Sequence, residues 1–128
     1  MATIKEDYVS FKIAELLKEK GFEEECVYFY DWDEEDEIYR ICSNGGSCNS
    51  KEYPTYYSMP TLQMAMKWLR EVHNTFISIA YENDGVFVAN LKAPLKEVDC
   101  MVDNKHNCWL TYEQACEAAI KYCLENLI

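Results

Sequence analysis

Two pairs of β-rich runs, each followed by an apolar stripe at helical spacing, dominate the pattern of this chain. The clearer pair is TFISIAY and VFVANL, joined at Asn83-Asp84-Gly85. Asp-Gly between two apolar runs is a strong hairpin signal, because both residues tolerate the positive φ of a tight turn. The other pair is CVYFYDW and EIYRIC, joined by an acidic turn. Antiparallel hairpins that alternate with helices favour an α+β fold.

The first helix has clear signals at both ends. Ser10 is placed to cap its N-terminus, and Gly21 to end it in the left-handed conformation. Phe22 then occupies the position whose side chain packs back on the helix, against Leu17.

Two further helices follow the two hairpins. The second is expected to begin near Thr61 and to stop at Asn74, and the third to begin at Thr111 with a capping box to Gln114. Their predicted buried stripes are Leu62, Ala65, Met66, Leu69 and Val72 in the second helix, and Tyr112, Cys116, Ala119, Ile120, Cys123 and Leu127 in the third.

The elements have the order α-ββα-ββα. They predict a single α+β domain over residues 1–128, with a two-layer architecture in which one four-stranded antiparallel sheet carries the helices on one face. Residues 43–60 and 92–109 are predicted to be irregular, and a loop as long as 43–60 is commonly functional.

The aromatic side chains of the first hairpin suggest a contact surface. Tyr28, Tyr30 and Trp32 point to one face of the first predicted strand, opposite Val27 and Phe29, so either face keeps apolar residues. Such a patch is typical of a partner surface or an oligomer contact. The structural alternative is that the first helix or the loops cover it.

The chain is strongly acidic, with 12 Lys and Arg against 23 Asp and Glu and a net charge of −11. This balance argues against direct binding to nucleic acid and to anionic membranes.

An EF-hand at Asp31 is excluded, because its sixth position is Asp36 rather than Gly and its twelfth is Cys42 rather than Glu. The acidic turn is either a solvated turn or a mimic of nucleic acid that occupies a host protein. The predicted partner surface is Tyr28, Tyr30, Trp32, Asp33, Glu34, Glu35 and Asp36.

The loop 43–60 holds a candidate site for a nucleotide-like ligand. Gly45-Gly46 could present backbone N–H groups to an anion, and Lys51 supplies a nearby positive charge. Tyrosine rings could stack on a base. The predicted ligand-binding residues are Gly45, Gly46, Lys51, Tyr53, Tyr56 and Tyr57. The structural alternative is that the tyrosines pack on the open sheet face.

Catalytic and metal sites have weak signals. Cys100, His106 and Cys108 could bind zinc, but no CxxC pair accompanies them. A small hydrolase that uses Cys108 and His106 is the enzymatic alternative, although nothing nearby predicts an activated thiol. His73 fits a structural role at a helix end. No catalytic residue, cofactor or metal is therefore expected, and the seven cysteines are expected to be reduced.

Two segments, MPTLQMAMKWLREVHN and TYEQACEAAIKYCLENLI, resemble a group of short uncharacterised accessory proteins of phages and prophages of gut bacteria. The group has no established activity, so the resemblance implies a setting rather than site residues. That setting is an accessory gene of a mobile element, expressed in the cytoplasm of a bacterial host.

The sequence thus predicts a non-enzymatic protein that acts by binding. One hypothesis is sequestration of a small nucleotide-like host signal, with a homo-oligomer expected. The alternative is an acidic inhibitor of a host protein that mimics nucleic acid.

Overall fold

The computed structural model describes residues 4–47, 49, 54–82, 85–96, 98–101 and 108–128. The chain divides into two compact units, residues 1–61 and 62–128, and each combines α-helix with antiparallel strands. The predicted α+β class is therefore confirmed. The single four-stranded sheet is wrong, because the described strands form two sheets of three strands each.

The first unit contains one helix and three strands. They are α1 (Phe11–Glu19), β1 (Cys26–Asp33), β2 (Ile38–Ser47) and β3 (Tyr57–Ser58). Their sheet has the order β2-β1-β3, and both pairings are antiparallel.

Both predicted ends of α1 are confirmed. The Ile13 N–H donates to Ser10 Oγ at 3.4 Å. Gly21 has a φ of 91°, and the Phe22 N–H donates to the Leu17 carbonyl at 2.9 Å. This is the Schellman arrangement, and it places Phe22 and Leu17 in the core, where both side chains are fully buried.

The predicted loop 43–60 is partly ordered as strand. Strand β1 pairs regularly with β2 from the pair Asp33 and Ile38 to the pair Tyr28 and Ser43. To reach the next pair, Cys26 and Ser47, β2 advances four residues and β1 only two. Gly45-Gly46 lies in this bulge, where a strand tolerates glycine. Within the same stretch Tyr57 pairs with Tyr30 as part of β3. The prediction missed both because neither segment alternates clearly.

The second unit contains two helices and three strands. They are α2 (Leu62–His73), β4 (Phe76–Tyr81), β5 (Phe87–Ala93), β6 (Val98–Met101) and α3 (Tyr112–Tyr122). The sheet order is β4-β5-β6, again antiparallel. The irregular stretch predicted over 92–109 is therefore wrong in part, because β5 extends into it and β6 follows a single 3-10 turn.

Both α2 and α3 pack against the second sheet. Ile77 is paired with Leu91 and Ile79 with Ala89, and the two β5 side chains are fully buried. Val72 was predicted to be buried in α2 but is 57% exposed. Val72 lies in the last turn of α2, and helical periodicity does not show whether another element packs against that turn.

The third helix begins as predicted, since the Gln114 N–H donates to Thr111 Oγ1 at 3.1 Å. Its last turn widens to a π-helical turn over Cys123–Leu127. None of the helices in the described ranges is long and apolar enough to cross a bilayer. The buried side chains of this C-terminal segment are Ala115, Cys116, Ala119, Ile120, Cys123, Leu124 and Leu127.

Candidate functional site

The acidic turn between β1 and β2 has a defined conformation. Asp33 Oδ1 accepts the N–H of Glu35 at 2.9 Å and that of Asp36 at 3.3 Å. Glu37 closes the turn with a φ of 54°, in the left-handed region. Aspartate favours such turns because its short carboxylate reaches the backbone two residues ahead.

Arg40 holds this turn from the neighbouring strand. Its Nε donates to Asp33 Oδ2 at 2.5 Å, and its Nη2 donates to Asp36 Oδ2. The Arg40 hydrogen bond, helped by backbone N–H groups of the turn, holds the pKa of Asp33 below its usual value. The same two carboxylates raise the pKa of Arg40. Two of the four acidic residues predicted for the partner surface therefore serve the hairpin itself.

Three glutamates of the turn remain available for external contacts. Glu34, Glu35 and Glu37 are exposed on a backbone that the Asp33 and Arg40 contacts fix. Sequence reasoning included the first two in the partner surface and did not include Glu37.

The aromatic face of β1 is largely covered by the preceding chain. Tyr8 meets Tyr28 edge to face, with ring centroids 5.2 Å apart, and Phe11 of α1 meets Tyr30 at 5.4 Å. The Tyr30 hydroxyl also donates to the Val9 carbonyl at 3.1 Å. Tyr28 and Tyr30 are half-buried. For these two predicted partner residues the structure agrees with the structural alternative, in which the first helix or the loops cover the aromatic face.

Trp32, the third aromatic residue of the predicted surface, stays accessible. It is 38% exposed and lies beside Tyr39 of β2, with ring centroids 5.0 Å apart. Ile41 follows Tyr39 on the same face of β2 and is 58% exposed. These three side chains form an apolar strip next to the acidic turn.

The predicted nucleotide site is described only in part. Gly45 and Gly46 lie in β2 rather than in a loop. Lys51 and Tyr53 lie outside the described residues. The Tyr56 ring stacks on Phe29, with centroids 4.4 Å apart.

Tyr57, the last of the predicted ligand residues, is packed among other rings. It contacts Phe11 at 5.2 Å and Tyr39 at 5.6 Å between ring centroids. Burial and, to a smaller extent, the electrostatic interaction with Tyr39 raise the pKa of the Tyr57 hydroxyl. The contacts of Tyr56 and Tyr57 agree with the structural alternative, and nucleotide binding stays a prediction.

Lys18 organises this segment, and sequence reasoning did not identify it. Its Nζ donates to the carbonyls of Pro54, at 2.8 Å, and Tyr56, and lies 4.5 Å from the Tyr57 ring centroid. Burial lowers the pKa of Lys18. No local signal could have found these contacts, because they join residues 36 and 38 positions apart.

Asn49 makes a second long-range link in the first unit. Its Nδ2 donates to the Phe22 carbonyl at 2.7 Å, and its Oδ1 accepts the Ser58 N–H at 2.9 Å. One amide side chain thereby ties the end of the α1 cap to β3.

The cysteine and histidine candidates of the predicted zinc or hydrolase site are described only in part. His106 lies outside the described residues, and Cys100 belongs to β6. Cys108 is half-buried. The described residues contain no group of three potential metal ligands. The zinc site and the hydrolase stay hypotheses that the sequence did not favour.

The best-defined candidate site is thus the β1–β2 hairpin, with three exposed glutamates beside an apolar strip. Comparison of the chain with protein-family models, curated proteins and solved structures finds no match.

Proposed function

We propose that this protein acts without catalysis, by binding a positively charged surface of another protein through its β1–β2 hairpin. The hairpin would occupy the place that nucleic acid takes on that surface. The observation that carries the proposal is the set of three exposed glutamates, Glu34, Glu35 and Glu37, on a turn held in place by Asp33 and Arg40.

The electrostatics of the chain support this role. A net charge of −11 creates a long-range field that speeds the approach of a basic partner. Carboxylates pair well with arginine and lysine, the residues that proteins use to contact phosphates. A turn that is already ordered also loses less conformational entropy on binding.

The apolar strip supports a protein partner. Trp32 is accessible beside the turn, and tryptophan is enriched among the residues that contribute most to protein interfaces. Sequestration of a nucleotide-like molecule has less support, because the rings of Tyr56 and Tyr57 contact other side chains. The phage-accessory setting and the bacterial cytoplasm remain part of the proposal.

The test compares charge reversal at two places in the same unit. One variant carries Glu34→Lys, Glu35→Lys and Glu37→Lys. The matched control carries Glu23→Lys, Glu24→Lys and Glu25→Lys, three exposed residues outside the hairpin with the same change in net charge. Both proteins and the wild type are immobilised and exposed to a bacterial lysate, and captured proteins are identified by mass spectrometry.

The expected partner binds DNA, is released by added duplex DNA, and binds the hairpin variant at least about tenfold more weakly than the control. Binding should also weaken as salt rises, because the Debye length shrinks from about 30 Å at 0.01 M to about 8 Å at 0.15 M. Equal capture by the two variants, or capture that DNA and salt do not affect, would contradict the proposal.

A further inference from the structure

We infer that a second copy of this chain pairs with the outer edge of β2, so that two three-stranded sheets join into one of six strands. Among the described residues β2 pairs only with β1, and it ends the order β2-β1-β3. Its residues Ile38–Ile41 and Ser43 are exposed. An edge strand presents unpaired N–H and C=O groups at alternate residues, and a further strand satisfies them.

The residues of this edge indicate which strand fits it. Natural edge strands are commonly protected by lysine, proline or inward charges, but the ten residues Ile38–Ser47 contain no Lys, Pro, Asp or Glu. Their single charge, Arg40, is already bound to Asp33 and Asp36. The β2 edge therefore has no uncompensated charge of its own, and a second β2 strand would meet no like charge along it.

Symmetry restricts the register of such a pair. In an antiparallel pair, residues opposite each other have their side chains on the same face of the sheet. When a two-fold axis relates two identical strands, one residue must therefore lie at the axis, opposite its own copy. The regular part of β2 runs from Ile38 to Ser43 before the bulge. Only Arg40 or Ile41 at the axis gives a pairing five residues long.

Ile41 is the favoured residue at the axis. Placing Arg40 there would bring together the Arg40–Asp33–Asp36 clusters of the two chains, each of which has more negative than positive charge, and like charges destabilise a cross-strand pair. With Ile41 at the axis, two β-branched side chains that are 58% exposed in one chain cover each other. Tyr39 then lies opposite Ser43, and Arg40 opposite Cys42.

This arrangement also separates the acidic turns. Glu35 is six residues from Ile41, or about 20 Å along a strand, so the turns of the two copies lie about 40 Å apart at opposite ends. That distance is several Debye lengths at physiological salt, where the screening length is about 8 Å. The two acidic turns therefore repel each other little, and both stay open for a partner.

The first test measures mass in solution by sedimentation equilibrium and native mass spectrometry over a range of protein concentrations. The wild type should form a species of twice the 15.0 kDa chain mass. Ile41→Lys should raise the dimer dissociation constant by about tenfold or more, because it opposes two ammonium groups at the axis. The matched control is Ile38→Lys, at an exposed β2 residue outside the paired segment, and it should remain dimeric.

A second test fixes the register. Facing residues of an antiparallel pair have Cα atoms about 4.5–5.5 Å apart, within the range that a disulfide bridges. In a Cys42→Ser background, Ile41→Cys should therefore form a disulfide-linked dimer on mild oxidation, and Ile38→Cys should not form one.

A wild type that is monomeric at every concentration, or a dimer that Ile41→Lys leaves unchanged, would overturn the inference, as would cross-linking at position 38 instead of 41. These outcomes are separate from those for the proposed function, since a monomer that captures a DNA-binding protein refutes only the dimer.

Discussion

Replacing Lys18 by Met tests the long-range contact that holds the segment before β3 onto α1. Met keeps most of the apolar stem but removes the ammonium that donates to Pro54 and Tyr56 and lies over the Tyr57 ring. A hydrogen bond from a charged donor contributes about 1.5–3 kcal/mol, and a cation over a ring about 0.5–1 kcal/mol at an exposed site. Because water can reach the freed carbonyls, we expect a total loss of about 2 kcal/mol.

The loss can be measured by urea and thermal unfolding followed by tryptophan fluorescence. Unfolding entropy is about 2.1 cal/mol/K per residue, so a chain of 128 residues should lose about 7 °C in Tm. The matched control is Lys12→Met on the same helix, where the ammonium pairs, among the described residues, only with Glu15, in an exposed ion pair at 3.4 Å. We expect less than about 0.5 kcal/mol there. Lys18→Met that is no more destabilising than Lys12→Met would refute the reasoning.

Three further variants test separate parts of the first unit. Gly21→Ala should cost about 1–2 kcal/mol, read as a lower urea midpoint, because φ is 91° and the added methyl meets no atom within 4 Å, so the cost is backbone strain alone; an unchanged midpoint would contradict this. Ser58→Ala should leave stability unchanged or raise it by about 1 kcal/mol, because Ser58 Oγ is buried with no hydrogen-bond partner in the described residues; a clear fall in Tm would show a partner. The pKa of Asp33 is lowered in the folded state, so its contribution is present above the ordinary value of 3.8 and is lost as pH falls below it. Asp33→Asn should therefore show a shallower acid dependence of unfolding than the wild type, and identical slopes would count against the Asp33–Arg40 contact.

Local sequence signals predicted the ends of the elements well. The Ser10 and Thr111 caps and the Gly21 helix end are confirmed, because each is a contact between residues at most five positions apart. Strand pairing was predicted less well. The short β3 pairs with β1 across nearly thirty residues, and β6 follows a single turn, so neither has a hairpin signal of its own.

The features of the candidate site also divide into those with a local sequence signal and those without one. The acidic turn and Trp32 were identified from sequence because charge and hairpin signals are local. The role of Arg40 as the group that holds the turn was not, since it depends on which β2 side chain reaches the carboxylates of Asp33 and Asp36. For Tyr28, Tyr30 and Tyr57 the sequence left open whether they face a partner or ligand or pack within the chain, and their cover by Tyr8 and Phe11 depends on the packing of the chain that begins α1.

The sequence by itself determined the α+β class, the positions of the helices and the acidity of the hairpin turn, because these follow from periodicity, caps and charge within a few residues. Only the tertiary structure decided that the strands divide between two sheets, that Lys18 and Asn49 fix β3, and which aromatic rings stay exposed. The physical reason is that burial and strand pairing are properties of contacts between distant segments, and a tyrosine has the same local pattern whether a helix covers it or solvent does.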